Sequence, residues 1–126
     1  MNVLIVEDNP ISAKVLEHTL DRHGYESYTA KDGDQALEYL DGHPEVELVI
    51  TDLSMPGADG WSIIEETRRR SPETKVVILT GYGGFAELAV PGGDTSVVDA
   101  LISKPFNIAE IDLTINRLLV RDESPN

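Results

Sequence analysis

Cysteine is absent from the 126-residue chain, which excludes disulfides, thiolate zinc sites and thiol nucleophiles and fits a reducing compartment. Basic residues are scarce. Ten Lys and Arg stand against 23 Asp and Glu, a formal net charge of -13, and such a surface repels both the phosphate backbone of nucleic acid and anionic lipid headgroups. Direct nucleic-acid binding and membrane association are therefore not expected. No apolar run reaches membrane-spanning length, and the start, Met1-Asn2-Val3-Leu4-Ile5-Val6-Glu7-Asp8, lacks the basic region and long apolar stretch of a signal peptide. A cytoplasmic location is the expectation. There is also no internal repeat and no low-complexity segment. What remains is an ordinary globular composition, 40% hydrophobic and 26% charged, in a length suited to one core.

Val3-Leu4-Ile5-Val6 is a continuous β-prone run that ends at two carboxylates, the form of a buried strand whose end meets solvent. A helix follows. Asn9-Pro10 supplies its cap and first-turn proline, Ile11, Val15, Leu16 and Leu20 share a face, and Gly24 stops it. Tyr25 to Ala30 reads as a more polar edge strand, and Asp32 caps a second helix that carries Ala36, Leu37 and Leu40 and ends at Gly42. Leu48 to Asp52 repeats the form of the first strand. Met55-Pro56-Gly57 turns toward a helix from about Gly60 to Arg70, and Lys75 to Thr80 is the fourth strand.

Between Gly81 and Ser96 the glycines and Pro91 leave room for only about two helical turns, near Phe85 to Val90. Order returns with Ala100 to Ser103 as the fifth strand. Asn107 and Glu110 then form a capping-box pair, with Ile108, Ile111, Ile115, Leu118 and Leu119 on one face. This alternation of apolar strands with helices predicts an α/β parallel sheet covered on both sides, whose ligands sit beyond the carboxyl ends of the strands.

Those ends carry Glu7 and Asp8, Asp52, and Thr80, and Lys104 follows the fifth strand. Carboxylates brought together repel one another unless a cation bridges them, and an all-oxygen site suits hydrated Mg2+. A carboxylate beside Mg2+, an ammonium and a hydroxyl is equipped to attack phosphorus and become an acyl phosphate. Asp52 is the natural nucleophile, with Glu7 and Asp8 holding the metal and Thr80 and Lys104 bonding the phosphoryl oxygens.

Glu7-Asp8, Asp52 with Met55-Pro56-Gly57, Thr80-Gly81 and Lys104-Pro105-Phe106 resemble, in order and over nearly the whole chain, the signature of response-regulator receiver domains. The resemblance implies a flavodoxin-like, doubly wound sheet of five parallel strands in the order 2-1-3-4-5, with a receiver domain over residues 1–121 and a polar tail over 122–126. It implies that Asp52 takes a phosphoryl group from a histidine kinase or histidine phosphotransferase. Mg2+ would sit on Asp8, Asp52 and the carbonyl of Ser54, with Glu7 reaching it through water, and the Lys104-Pro105 bond would be cis. Such a domain catalyses its own aspartyl phosphorylation and dephosphorylation without being a conventional enzyme. It would respond through Thr80, which biases a surface formed by the fourth helix, fifth strand and fifth helix.

Two features depart from the family pattern: Leu101 stands where an aromatic switch residue is usual, and the Gly81 to Ser96 segment is rich in glycine and slightly long. They motivate an alternative, a degenerate receiver serving as a constitutive protein-binding module. A phosphatase with an Asp nucleophile would need Asp-x-Asp, which Asp52-Leu53-Ser54 does not supply. Gly81-Tyr82-Gly83-Gly84 is not followed by the Lys-Ser/Thr of a phosphate-binding loop. Trp61 reads as packing, His18, His23 and His43 as surface residues, and Arg68-Arg69-Arg70 as a solvated helix end favoured by the macrodipole.

Overall fold

The structure, a computed structural model, describes residues 2–52, 60–71, 73–80, 99–103 and 106–119, with the backbone alone at Trp61, Thr80 and Ser103. Nine elements run through these residues. They are β1 (Asn2–Val6), α1 (Pro10–Arg22), β2 (Glu26–Ala30), α2 (Gly33–Gly42), β3 (Val46–Asp52), α3 (Gly60–Arg70), β4 (Lys75–Thr80), β5 (Ala100–Ser103) and α4 (Ile108–Leu119). The strands form one sheet in the order β2-β1-β3-β4-β5, every neighbouring pair parallel. This is the flavodoxin-like order. The Gly81 to Ser96 segment, and with it the irregular fourth crossover, lies outside the described residues.

Continuous apolar runs are needed because successive strand residues face opposite layers, and both layers are covered. Val3 and Ile5 join Leu48, Ile50, Val77 and Leu79 under α1 and α4, which contribute Leu16, Leu20, Ile111 and Ile115. Leu4 and Val6 point the other way. They pack with Val49, Ala36, Leu40 and Ile63 beneath α2 and α3. β3 starts at Val46, two residues before the expected Leu48, because the β1–β3 register shifts between Asn2 and Val3. The shift leaves exposed Glu47 between Val46 and Leu48, so Val46 and Val49 reach the same core although three positions apart.

Helix ends follow the side chains that satisfy them. Asn9 Oδ1 accepts from the N–H groups of Ile11 (2.9 Å) and Ser12 (3.1 Å), and Asp32 Oδ1 accepts from Gln35 (2.8 Å). Asn107 and Glu110 exchange reciprocal bonds of 3.2 and 2.9 Å, a complete capping box. α1 ends on Gly24 at φ +84, where the Gly24 and Tyr25 N–H groups reach back to the carbonyls of Asp21 and Leu20. A Cβ at Gly24 would meet nothing within 4 Å, so the positive φ alone calls for glycine.

Several readings need correction. Ile11 is 76% exposed, because the buried stripe of α1 runs through Ala13, Leu16, Thr19 and Leu20 and the 3.6-residue period turns Ile11 away from it. Ile108 is likewise exposed, at the first turn of α4. His23 is half-buried: its Nε2 lies 2.8 Å from Asp112 Oδ1 and ties the end of α1 to α4. His43 caps α2, donating from Nδ1 to the Tyr39 carbonyl at 2.9 Å and stacking on the Tyr39 ring. The arginine run is, as read, a largely solvated helix end, and it is also paired with acids. Arg68 pairs with Asp99 at 2.6 Å, Arg69 with Glu66, and Arg70 with both Glu66 and Asp41, the last at 2.6 Å.

Leu79 is fully buried in the layer under α1 and α4, so Leu79→Ala should lower the unfolding free energy by about 2–5 kcal/mol in urea titrations. The hydrogen bonds of Arg69 and then Arg70 hold the Glu66 carboxyl below its ordinary value of 4.5. A depressed carboxyl stabilises the fold above that value and loses its effect as pH falls through the folded one. The stability difference between wild type and Glu66→Gln should therefore shrink as pH falls below the ordinary carboxyl value and through the lowered one, read from urea midpoints.

Candidate functional site

Strand register brings the acidic residues level. Val6 pairs with Thr51 and Asp52 with Leu79, so Glu7, one residue beyond β1, lies beside Asp52 at the end of β3, and Thr80 follows at the end of β4. Thr80 in turn pairs with Ser103. The backbone of Thr80 is thus at the same sheet edge. Its side chain, together with Ser54, Met55-Pro56-Gly57, Tyr82, and Lys104-Pro105, lies outside the described residues.

Glu7, Asp8 and Asp52 each direct a carboxylate oxygen into one cluster, those atoms lying within 4.8 Å of one another. Glu7 is 1% exposed and Asp52 8%, whereas Asp8 is open to solvent. The cluster therefore has two shielded members and one solvent-facing member. Its donors are all hard carboxylate oxygens, with no sulfur or imidazole in the group, which suits a hard divalent cation with retained waters.

Neighbouring backbone fixes these side chains. The Glu7 N–H bonds the Ala30 carbonyl at 3.0 Å, anchoring the residue to the end of β2, and Glu7 Oε2 accepts from the Asn9 N–H at 3.0 Å. Buried Thr51 donates from its hydroxyl to the Asp52 carbonyl at 2.9 Å. Asp52 thus leaves the sheet from a held strand end.

A recess of about 280 Å³ adjoins the acids, with Pro10 and Ala13 among its walls and Lys14 and Lys31 at its margin. The two lysines went unnoticed in the sequence because each is an isolated charge, 14 on a helix and 31 after a strand. Only the β1–β2 pairing, which sets Val6 against Ala30, brings them together. A roomier recess of about 360 Å³ touches the starts of β3 and β4 at Val46 and Lys75, at the opposite end of the sheet from the acids.

A family profile described as the response regulator receiver domain matches residues 3–116. The probable transcriptional regulator ycf27 of Cyanophora paradoxa is 35% identical over 98% of this chain and 50% of its own length. The chemotaxis protein CheY1 of Helicobacter pylori (strain J99) is 33% identical over 84% of this chain and 86% of its own. Among solved structures, the response regulator protein TrrA of Thermotoga maritima in complex with Mg(2+)-BeF superposes with a TM-score of 0.75. It is 31% identical, with 93% of this chain and 97% of that one covered. The chain spans about half the length of several curated relatives, the ycf27 proteins among them.

Three carboxylates at one point repel one another in the absence of a cation. Asp52→Asn should therefore raise the stability of the metal-free protein, by about 1 kcal/mol at low salt. Thermal melts in EDTA would show it as a higher midpoint, and the gain should fall as Mg2+ is added to the pair.

Proposed function

The chain belongs to the response-regulator receiver family, and from that footing we propose that Asp52 is its phosphoacceptor. The observation that carries the proposal is the convergence of the Glu7, Asp8 and Asp52 carboxylates at the carboxyl end of the sheet. In the proposed reaction an Asp52 carboxylate oxygen attacks phosphorus in a phosphohistidine, the P–N bond breaks, and the electron pair leaves with the imidazole. The product is an acyl phosphate on Asp52. Asp8, Asp52 and the Ser54 carbonyl would hold Mg2+, with Glu7 reaching it through water, and the ion would supply positive charge against the phosphoryl oxygens. Thr80 and Lys104 are proposed to contact those oxygens, and the presence of Mg(2+)-BeF in the related TrrA structure supports the reading of the acid cluster as a Mg2+ site.

Asp52 is suited to nucleophilic attack because it is shielded and its strand end is held, which limits the motion needed to reach phosphorus. Asp8 faces solvent, as a ligand that shares its cation with water would. The proposed donor is a sensor histidine kinase or a histidine phosphotransferase, and the phosphoryl group is proposed to alter a protein-interaction surface. We assign the receiver domain to residues 1–121 and a polar tail to 122–126, in a cytoplasmic setting. No described helix is long and apolar enough to cross a membrane. The intact acidic set favours phosphoacceptance over a degenerate binding module.

Incubation of the chain with acetyl phosphate and Mg2+ should add one phosphoryl group by intact mass. Asp52→Asn and EDTA should each abolish the adduct. An adduct that persists in Asp52→Asn, or none in the wild type at any Mg2+ concentration, would overturn the assignment.

A further inference from the structure

The turn between β1 and α1 joins the acid cluster to a helix cap through one residue. Asn9 uses three groups at once: its side-chain Oδ1 accepts from Ile11 and Ser12, its carbonyl accepts from the Ala13 N–H at 3.0 Å, and its own N–H donates to Glu7 Oε2 at 3.0 Å. Pro10 stands at the first helical position, where its fixed φ favours the same turn. The Asn9 backbone is extended, φ -86 and ψ 115, so its N–H points away from the helix and back toward the preceding carboxylate.

Glu7 is long, and nothing in its covalent structure aims its carboxylate. Among the contacts that hold it, the backbone tie to Ala30 fixes its Cα, and the Asn9 N–H bonds its far end. The second tie is only as firm as the peptide that offers it. That peptide is oriented by the cap which Asn9 Oδ1 makes on α1.

We infer that Asn9 is a positioning residue for the cation site: by capping α1 it orients the backbone N–H that holds the Glu7 carboxylate against Asp8 and Asp52. The inference rests on the proposed reading of the acid cluster as a Mg2+ site. A group that orients a ligand changes metal affinity as well as stability. A group that merely caps a helix changes stability alone.

Asn9→Ala removes the accepting oxygen and Asn9→Ser restores one at the same place. Mg2+ titration of the full chain by calorimetry should give a dissociation constant raised roughly tenfold in Asn9→Ala, and a wild-type-like value in Asn9→Ser. Urea unfolding without Mg2+ gives the stability of each variant separately. Asn9→Gly carries the same expectation for Mg2+ while costing the helix little, which covers the case of a poorly folded alanine variant. A lowered stability with an unchanged Mg2+ constant in both Asn9→Ala and Asn9→Gly would overturn the inference. Absence of Mg2+ binding by the wild type would overturn the reading of the cluster and the inference with it. Failure of Asp52 to take a phosphoryl group, with the Asn9 effect on Mg2+ intact, would remove the phosphoacceptor assignment alone.

Discussion

Parallel pairing of β1, β3 and β4 in one register is the constraint on which the site depends. Each strand contributes little alone. Val6 beside Thr51 and Asp52 beside Leu79 put the ends of three strands at one height, so residues separated by dozens of positions become neighbours without a long loop to carry them. The apolar runs that make these strands enforce that height from both sides. A slip of one residue would exchange the layer containing Val3 and Ile5 with the layer containing Leu4 and Val6.

The same arrangement divides stability from chemistry along the sheet. At the amino ends of β3 and β4, Thr74 donates to the Val46 carbonyl and Arg68 to the Thr74 carbonyl, so that end is closed by hydrogen bonds and an ion pair. At the carboxyl ends, like charges face one another. The repulsion there is tolerated because the core and the bonded inlet hold the strands in place. An open sheet of this kind can keep an acidic cluster at one edge while its interior is fully packed.

Much of this was legible in the sequence, for identifiable reasons. Continuous apolar runs located four of the strands, two of them ending in acids, and Asn9, Gly24, Asp32 and the Asn107–Glu110 pair marked helix ends because capping chemistry is local. The acid set was legible because Glu7, Asp8 and Asp52 each sit at a strand end. Ile11 misled because an apolar residue one turn before a buried stripe looks periodic, and its exposure depends on the helix's rotation over the sheet. His23 misled for another reason: its partner, Asp112, is distant in sequence and is met only through the fold. Leu101, 36% exposed on β5, is described, whereas Ser54 and Lys104 are not.

Asp99 has a wider consequence than one ion pair. Its N–H bonds the Val76 carbonyl at 2.8 Å, its carboxylate accepts from the Val76 N–H at 2.8 Å, and the same oxygen receives Arg68. The residue behaves as a rivet at the point where the chain returns to the sheet. Sliding β5 by one position would break all three bonds and exchange exposed Leu101 with buried Ile102. The last strand is therefore indexed from its inlet, and its pairing with β4 is set before the chain reaches its outlet beside Thr80.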